Sequence, residues 1–245
     1  MTKTQNSNFG RIVTSKRRLS ILSWLLQNNR TKFFDNLFIQ KYLFFYELTS
    51  FVEGQDYSFD YMKGYQRGPV FSELYGDYRY RSEAFFFESE NIFASDTNDT
   101  FTVNESIAKF SSFMVSIFDN HELSLFTHEF DVWKVKQTEI EARMSDQISL
   151  SEHDISFDDI STIITLREVY NDDYINNLEI IEISKNNQVG NERKWIFLIN
   201  NDDLVRLELS DYERSLEKII LDASQQNIEN PIYITFDEVE GFRVD

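Results

Sequence analysis

The sequence predicts an α+β protein, in which a mainly helical N-terminal part is followed by a small unit of strands and helix. Apolar residues recur at intervals of three and four up to about residue 170, and alternate with a period of two after it. The chain has 245 residues, of which 41% are hydrophobic, so it is long enough to bury a substantial core. We therefore predict a helical domain over residues 1–168 and an α+β accessory domain over residues 169–245.

Three segments of the N-terminal part are predicted to be helices. The first runs from Lys16 to Leu26, and the third runs from Asn104, a plausible N-cap, to Phe118. The second starts near Asp35, whose carboxylate can accept hydrogen bonds from the free amides of the first turn, and continues through the sequence FIQKYLFFYEL. Its apolar residues cover more than one face, which predicts a central, buried helix.

Between the second and third helices, Gly68 and Pro69 interrupt the helical periodicity. Proline fixes φ and has no amide donor, so the chain is predicted to turn there. Proline at the first position of a helix costs no hydrogen bond, and we expect a helix to restart just after the turn.

The C-terminal unit is predicted to be an antiparallel meander followed by a helix and a last strand. The three strands of the meander are residues 178–183, 195–199 and 204–209. Ser210 and Glu213 have the spacing of a capping box, which predicts the start of the helix, and residues 231–236 supply the last strand.

Charge is distributed unevenly along the chain. Residues 1–50 contain 8 Lys and Arg against 2 Asp and Glu, whereas residues 51–245 contain 16 against 40, and the whole chain carries a net charge of −18. An acidic exterior repels nucleic acid and favours basic partners. The basic N-terminal segment, with Lys16, Arg17 and Arg18, is the one place where contact with phosphates is expected.

The motifs of common enzyme classes are not found. With 7 Gly residues the chain contains neither of the glycine-rich loops that hold phosphates. His-Glu pairs occur at His121 and His128, but the second histidine of a zinc-protease helix is replaced by Leu125 and Val132. We therefore expect a protein that is not an enzyme and that needs no cofactor and no metal.

The expected location is the cytoplasm. The chain has no cysteine, which fits a reducing compartment. The apolar run after the basic N-terminus is interrupted by Ser20 and Ser23, so a secretory signal is not expected. We also expect no membrane span, because no sequence window reaches the roughly 18 to 20 apolar residues that a span requires.

Two longer motifs carry a family resemblance. The first is YMKGYQRGPVFSELY (residues 61–75), and the second is ELSLFTHEFDVW (residues 122–133). In content, order and separation they resemble the two signature segments of the Panacea family of antitoxin domains, and IQKYLFFY (residues 39–46) resembles that family's leading helix. The resemblance covers roughly residues 16–165 and departs from the family pattern at Tyr65, at Arg67 and in the missing proline before Trp133.

The resemblance implies an antitoxin that neutralises a cognate toxin by direct protein contact, with the common domain as scaffold and appended segments setting the choice of partner. The acidity of residues 170–245 and the candidate exposed edges of their sheet predict that a basic or partly apolar toxin docks on the C-terminal unit. It also implies a set of motif residues that hold the helical core or contact the partner, namely Tyr65, Arg67, Gly68, Pro69, Val70, Leu74, Tyr75, Thr127, His128 and Trp133. Thr127 is expected to cap the next segment, and the Trp133 indole needs a hydrogen-bond acceptor if it is buried.

Two other functions are compatible with the sequence. SocA-like relatives are proteolytic adaptors, so the chain could deliver a partner to a protease. The acidic balance alone suggests a phage-type anti-defence protein that mimics DNA.

Overall fold

A computed structural model describes residues 11–92, 101–142, 147–186, 192–226 and 228–244. Helices and two small sheets make up this part of the chain, so the predicted α+β class is confirmed. None of the helices in the described residues combines the length and the apolar character needed to cross a membrane.

Eleven helices and a small sheet form the N-terminal part as far as it is described. In chain order these elements are α1 (Lys16–Asn28), α2 (Arg30–Phe33), α3 (Asn36–Val52), β1 (Met62–Tyr65), β2 (Gly68–Phe71), α4 (Ser72–Tyr80), α5 (Ser82–Asn91), α6 (Glu105–Ser116), α7 (Asn120–His128), α8 (Asp131–Lys134), α9 (Gln137–Glu141), β3 (Ile148–Ser149), α10 (Phe157–Val169) and α11 (Asp172–Asn176).

Helix α3 is the central helix, as the sequence predicts. Its residues 38–50 are all buried, because α1, α6, α7 and α10 pack around it. Asp35 caps it, with Oδ1 accepting a hydrogen bond from the Leu37 amide at 2.8 Å. Asn104 caps α6 in the same way, through the Ile107 amide at 3.3 Å.

A helix restarts after the Gly68-Pro69 turn, as predicted, but Pro69 is not its first residue, because Gly68 and Pro69 begin strand β2. Strand β2 pairs with β1 in an antiparallel hairpin, with Gly68 opposite Tyr65, and α4 begins only at Ser72. The strand order is β2-β1-β3, so β2 lies at an edge. A proline is tolerated there because an edge strand leaves some backbone positions without a ladder partner.

The C-terminal unit is one four-stranded sheet with two helices. Its elements are β4 (Leu178–Asn186), β5 (Glu192–Asn200), α12 (Asn201–Leu209), α13 (Tyr212–Gln225), β6 (Ile232–Asp237) and β7 (Gly241–Val244). The strand order is β4-β5-β6-β7, and β5 and β6 run parallel whereas the other two pairs are antiparallel.

The predicted third strand of the meander, residues 204–209, is instead helix α12. Asn200 caps this helix by accepting a hydrogen bond from the Asp203 amide at 2.8 Å. The polar residues 200–203 are therefore the start of a helix and not a turn between two strands. The predicted capping box at Ser210 is also absent. Ser210 donates a hydrogen bond back to the Leu207 carbonyl at 2.7 Å and so closes α12, and Asp211 holds the N-cap position of α13.

The C-terminal sheet lies between two hydrophobic cores. Leu198 of β5 packs into the core of the helical part, together with Leu178 and Ile180 of β4. The opposite face, including Trp195 and Phe197, packs with α12 and α13 into a second core. Strand β5 is therefore buried on both faces, which explains why its sequence is continuously apolar rather than alternating.

Candidate functional site

The two motif segments meet in space. Residues 61–75 form the β1–β2 hairpin and the start of α4, and residues 122–133 form α7 and the start of α8. The Trp133 indole Nε1, 68 positions further along the chain, donates a hydrogen bond to the Tyr65 carbonyl at 2.9 Å. The His128 ring stacks on the Trp133 ring, with centroids 3.9 Å apart and planes 12° apart. The indole therefore has the acceptor that its burial requires.

Gly68 is at the centre of this contact. Its φ is +91°, a conformation that L side chains rarely adopt. A Cβ built on Gly68 would lie 2.5 Å from Thr127 Oγ1 and would also overlap the Lys41 amine. Only glycine allows the hairpin to approach α3 and α7 this closely.

Helix α3 holds the hairpin through two buried polar side chains. Lys41 Nζ donates a hydrogen bond to the Pro69 carbonyl at 3.2 Å, and Gln40 Oε1 accepts one from the Phe71 amide at 2.8 Å. Both residues lie in an otherwise apolar stretch. Their role is to satisfy the backbone of β2, which is buried along its whole length.

Lys41 is the functional candidate that sequence reasoning missed. Its side chain is completely buried, and no ion pair formed by the described residues involves it. Burial without a carboxylate partner holds the pKa of Lys41 well below its ordinary value. Its position in the segment that resembles the family's leading helix was the only available indication.

His128 is half-buried beside Lys41. Its ring bonds to the backbone of Gln66, and burial lowers the pKa of His128, as would any charge on Lys41. Thr127 does not cap the next segment as expected, because its hydroxyl donates to the Ser124 carbonyl at 3.1 Å, one turn earlier in α7. The cluster is thus a packed junction in which burial disfavours the charged forms of both Lys41 and His128.

The ten motif residues differ in accessibility. Gly68, Pro69, Val70, Leu74, Thr127 and Trp133 are buried, and a partner cannot reach them in this conformation. Tyr65 and Tyr75 are half-buried with their ring centroids 5.9 Å apart, and Arg67 is exposed at the tip of the hairpin. The buried residues therefore pack within the helical part. Contact with a partner stays a prediction for Arg67, Tyr65 and Tyr75.

An exposed surface of a different character lies on the C-terminal helices. Val205, Leu209 and Tyr212 are exposed apolar residues, and Leu209 is 83% exposed. Val205 and Leu209 are one turn apart on α12 and so lie on the same face. Acidic side chains surround them in the sequence and are exposed as well, namely Asp202, Glu208, Asp211 and Glu213. We call these seven residues the α12–α13 surface.

The described residues contain no group of three His, Cys, Asp or Glu side chains that could hold a metal ion. No protein-family model, no curated protein and no solved structure matches this chain. The family resemblance accordingly stays a prediction.

Proposed function

We propose that this chain is a cytoplasmic antitoxin that neutralises a protein toxin by direct binding and without catalysis. The observation that carries the proposal is the contact between the two motif segments. The Panacea resemblance rests on residues 61–75 and 122–133, and a shared structural role for the two segments requires that they lie close together. They do so here, because Trp133 Nε1 donates a hydrogen bond to the Tyr65 carbonyl and Thr127 packs against Gly68.

The burial of the motif residues supports separate roles for the two parts of the molecule, with structure in the helical part and recognition in the C-terminal unit. Their side chains hold the β1–β2 hairpin against α3 and α7 and leave little accessible surface for a partner. Recognition then belongs to other surfaces, and the C-terminal unit is where we place it.

The α12–α13 surface supports docking of a basic, partly apolar toxin. Residues 169–245 contain 17 Asp and Glu against 7 Lys and Arg, a net charge of −10. Residues 202–214 hold 5 Asp and Glu against 2 Arg, so the exposed leucine and valine there combine an apolar contact with a net negative charge, as in a typical interface. A toxin with a basic rim around an apolar contact is complementary to it.

The proposal is tested by co-expression with the product of the adjacent open reading frame. We expect that product to arrest growth alone, and the wild-type chain to restore growth and to co-purify with it. Leu209→Arg, which places a positive charge in the α12–α13 surface, should abolish rescue. Leu125→Arg is the matched control, because Leu125 is an exposed leucine on α7, in the helical part.

Failure of the wild-type chain to relieve toxicity of any neighbouring product would overturn the antitoxin proposal. Equal loss of rescue in both variants would overturn docking on the C-terminal unit. Rescue accompanied by a shortened half-life of the partner would identify a proteolytic adaptor instead of a neutralising antitoxin.

A further inference from the structure

A cleft of about 810 Å³ lies between the helical part and the C-terminal sheet. Trp24 of α1, Lys32 of α2 and Phe113 of α6 line one side of it, and residues of β4 line the other. Its volume is within the range of about 300 to 1,000 Å³ that is typical of ligand sites. We call it the β4 cleft.

The cleft reaches the edge of strand β4. Leu178, Ile180 and Glu182 line it, and Glu179 lines it as well. Successive side chains of a strand point to opposite faces, so a cavity touches residues of both faces only where it meets the strand's edge. The sheet order places β4 at that edge, with β5 as its single neighbour.

Along this edge the backbone of β4 has no ladder partner among the described residues. Over residues 178–184, every backbone hydrogen bond formed with another described residue goes to β5. Alternate N–H and C=O groups therefore point out of the sheet towards the cleft. Edges of this kind are normally protected by charged side chains, above all lysine, or by proline. Residues 178–184 contain neither lysine nor proline, and their two charges are Glu179 and Glu182.

The charged side chains that line the cleft are balanced in number, Lys32 and Lys109 against Glu179 and Glu182. Glu182 pairs with Lys32 at 2.6 Å and with Lys194 at 2.5 Å. Lys109 on the opposite wall pairs with Glu105 at 3.3 Å. Glu179 is exposed and forms no ion pair with a described residue, so it is a local negative charge at the start of the strand, although the lining as a whole carries no net charge.

We propose that the β4 cleft binds an extended segment of a partner protein, which adds to the sheet as a fifth strand beside β4. The main chain of such a segment pairs with the free groups of β4. Its alternate apolar side chains pack against Trp24, Phe113 and Ile180 in the cleft. Its intervening basic side chains lie on the opposite face, near Glu179.

This inference rests on the proposed function only in taking a protein as the partner. Its test needs no toxin, so a failed peptide experiment leaves the neutralisation proposal standing, and failed neutralisation leaves the cleft proposal standing.

The test uses the full-length chain and a peptide of about seven residues that alternates lysine and valine, long enough to span the free edge. Amide chemical shifts are recorded during titration with this peptide and with the same peptide N-methylated at alternate residues, which removes one edge of main-chain donors. We expect shifts concentrated in residues 178–184 and around Phe113. We expect the N-methylated peptide to bind at least about tenfold more weakly, because it lacks several main-chain donors.

Two charge reversals complete the test. Glu179→Arg should weaken binding of the alternating peptide by about threefold to tenfold. Glu139→Arg, at an exposed glutamate on α9 in the helical part, should leave it unchanged. Equal binding of both peptides, equal effects of both reversals, or shifts confined to residues outside the β4 cleft would overturn the proposal. So would a screen in which small molecules fill the cleft and the peptide does not bind.

Discussion

Gly68 occupies a position that other residue types cannot take without displacing their neighbours. Two independent constraints act there, the positive φ of +91° and the contact with Thr127 and Lys41. Gly54 shares only the first constraint, because its φ is +65° and nothing lies within 4 Å of a built Cβ. The two glycines therefore allow backbone strain to be separated from crowding.

We expect Gly68→Ala to lower the free energy of unfolding by about 3–5 kcal/mol, since it adds steric overlap to backbone strain. Gly54→Ala should cost about 1–2 kcal/mol, the strain alone. Urea denaturation of the two variants measures the difference. Similar losses in both would mean that the hairpin moves away at little cost and that the close approach to α7 is unimportant.

The sequence identified Gly68 as a backbone device and Trp133 as a donor in need of an acceptor, because these needs follow from the residue types themselves. It did not identify Lys41. Helix α3 is apolar on more than one face, and in the sequence its lysine looks like a solvent-exposed interruption of the apolar surface. Its burial depends on β2, which follows 27 positions later in the chain.

At the scale of elements, Asp159 joins two helices that the chain does not place side by side. Its carboxylate accepts hydrogen bonds from the Asp131 amide at 2.6 Å and the Val132 amide at 2.9 Å, at the start of α8. It also closes the capping box of α10 by accepting from the Ser156 amide at 3.2 Å. One buried carboxylate thus satisfies free amides at two helix starts.

Asp159→Ala should destabilise the protein by about 2–4 kcal/mol, because two buried amides of α8 lose their acceptor. Asp158→Ala is the control, since Asp158 is exposed in the same first turn and its loss should cost less than about 1 kcal/mol. Thermal or urea unfolding reports both values. An equal effect of the two changes would show that the charge near the start of α10 matters, and not the link to α8.

Elements with long periodic patterns and local caps were predicted correctly, including α1, α3 and α6. The misassigned element is α12. In the sequence LVRLEL, Leu204 and Leu207 are three positions apart, as on one face of a helix, whereas Leu207 and Leu209 are two apart, as on one face of a strand. Six residues are too few to distinguish the two patterns. The helix forms because Asn200 caps it and because Leu207 is buried in the second core.

At the scale of the whole molecule, the C-terminal sheet belongs to both cores. Lys32 of the helical part pairs with Glu182 of β4, and Asn230 Nδ2 donates to the Glu122 carboxylate of α7 at 3.1 Å. Removing residues 169–245 would expose the core surface that Leu198 covers. A chain cut at residue 168 is therefore expected to be less stable than the intact protein.

We expect the two parts to unfold in one cooperative transition. Trp195 lies in the second core, so the fluorescence difference between the wild type and Trp195→Phe reports on the C-terminal unit. Helical ellipticity reports mainly on the N-terminal part. The two urea curves should coincide. A Trp195 transition at lower urea would instead support residues 169–245 as an independently folding accessory domain.

The sequence by itself determined the α+β class, the long helices with their caps, the order of the motif segments and the acidic exterior. Periodicity, capping and charge act over a few neighbouring residues, so they can be recognised without the fold. Only the tertiary structure decided that Lys41 is buried against the hairpin, that β5 runs parallel to β6, and that the edge of β4 faces an open cleft. Each of these features depends on which distant segments pair. The free energy of that pairing comes from contacts between residues that are far apart in the sequence, so local patterns cannot reveal it.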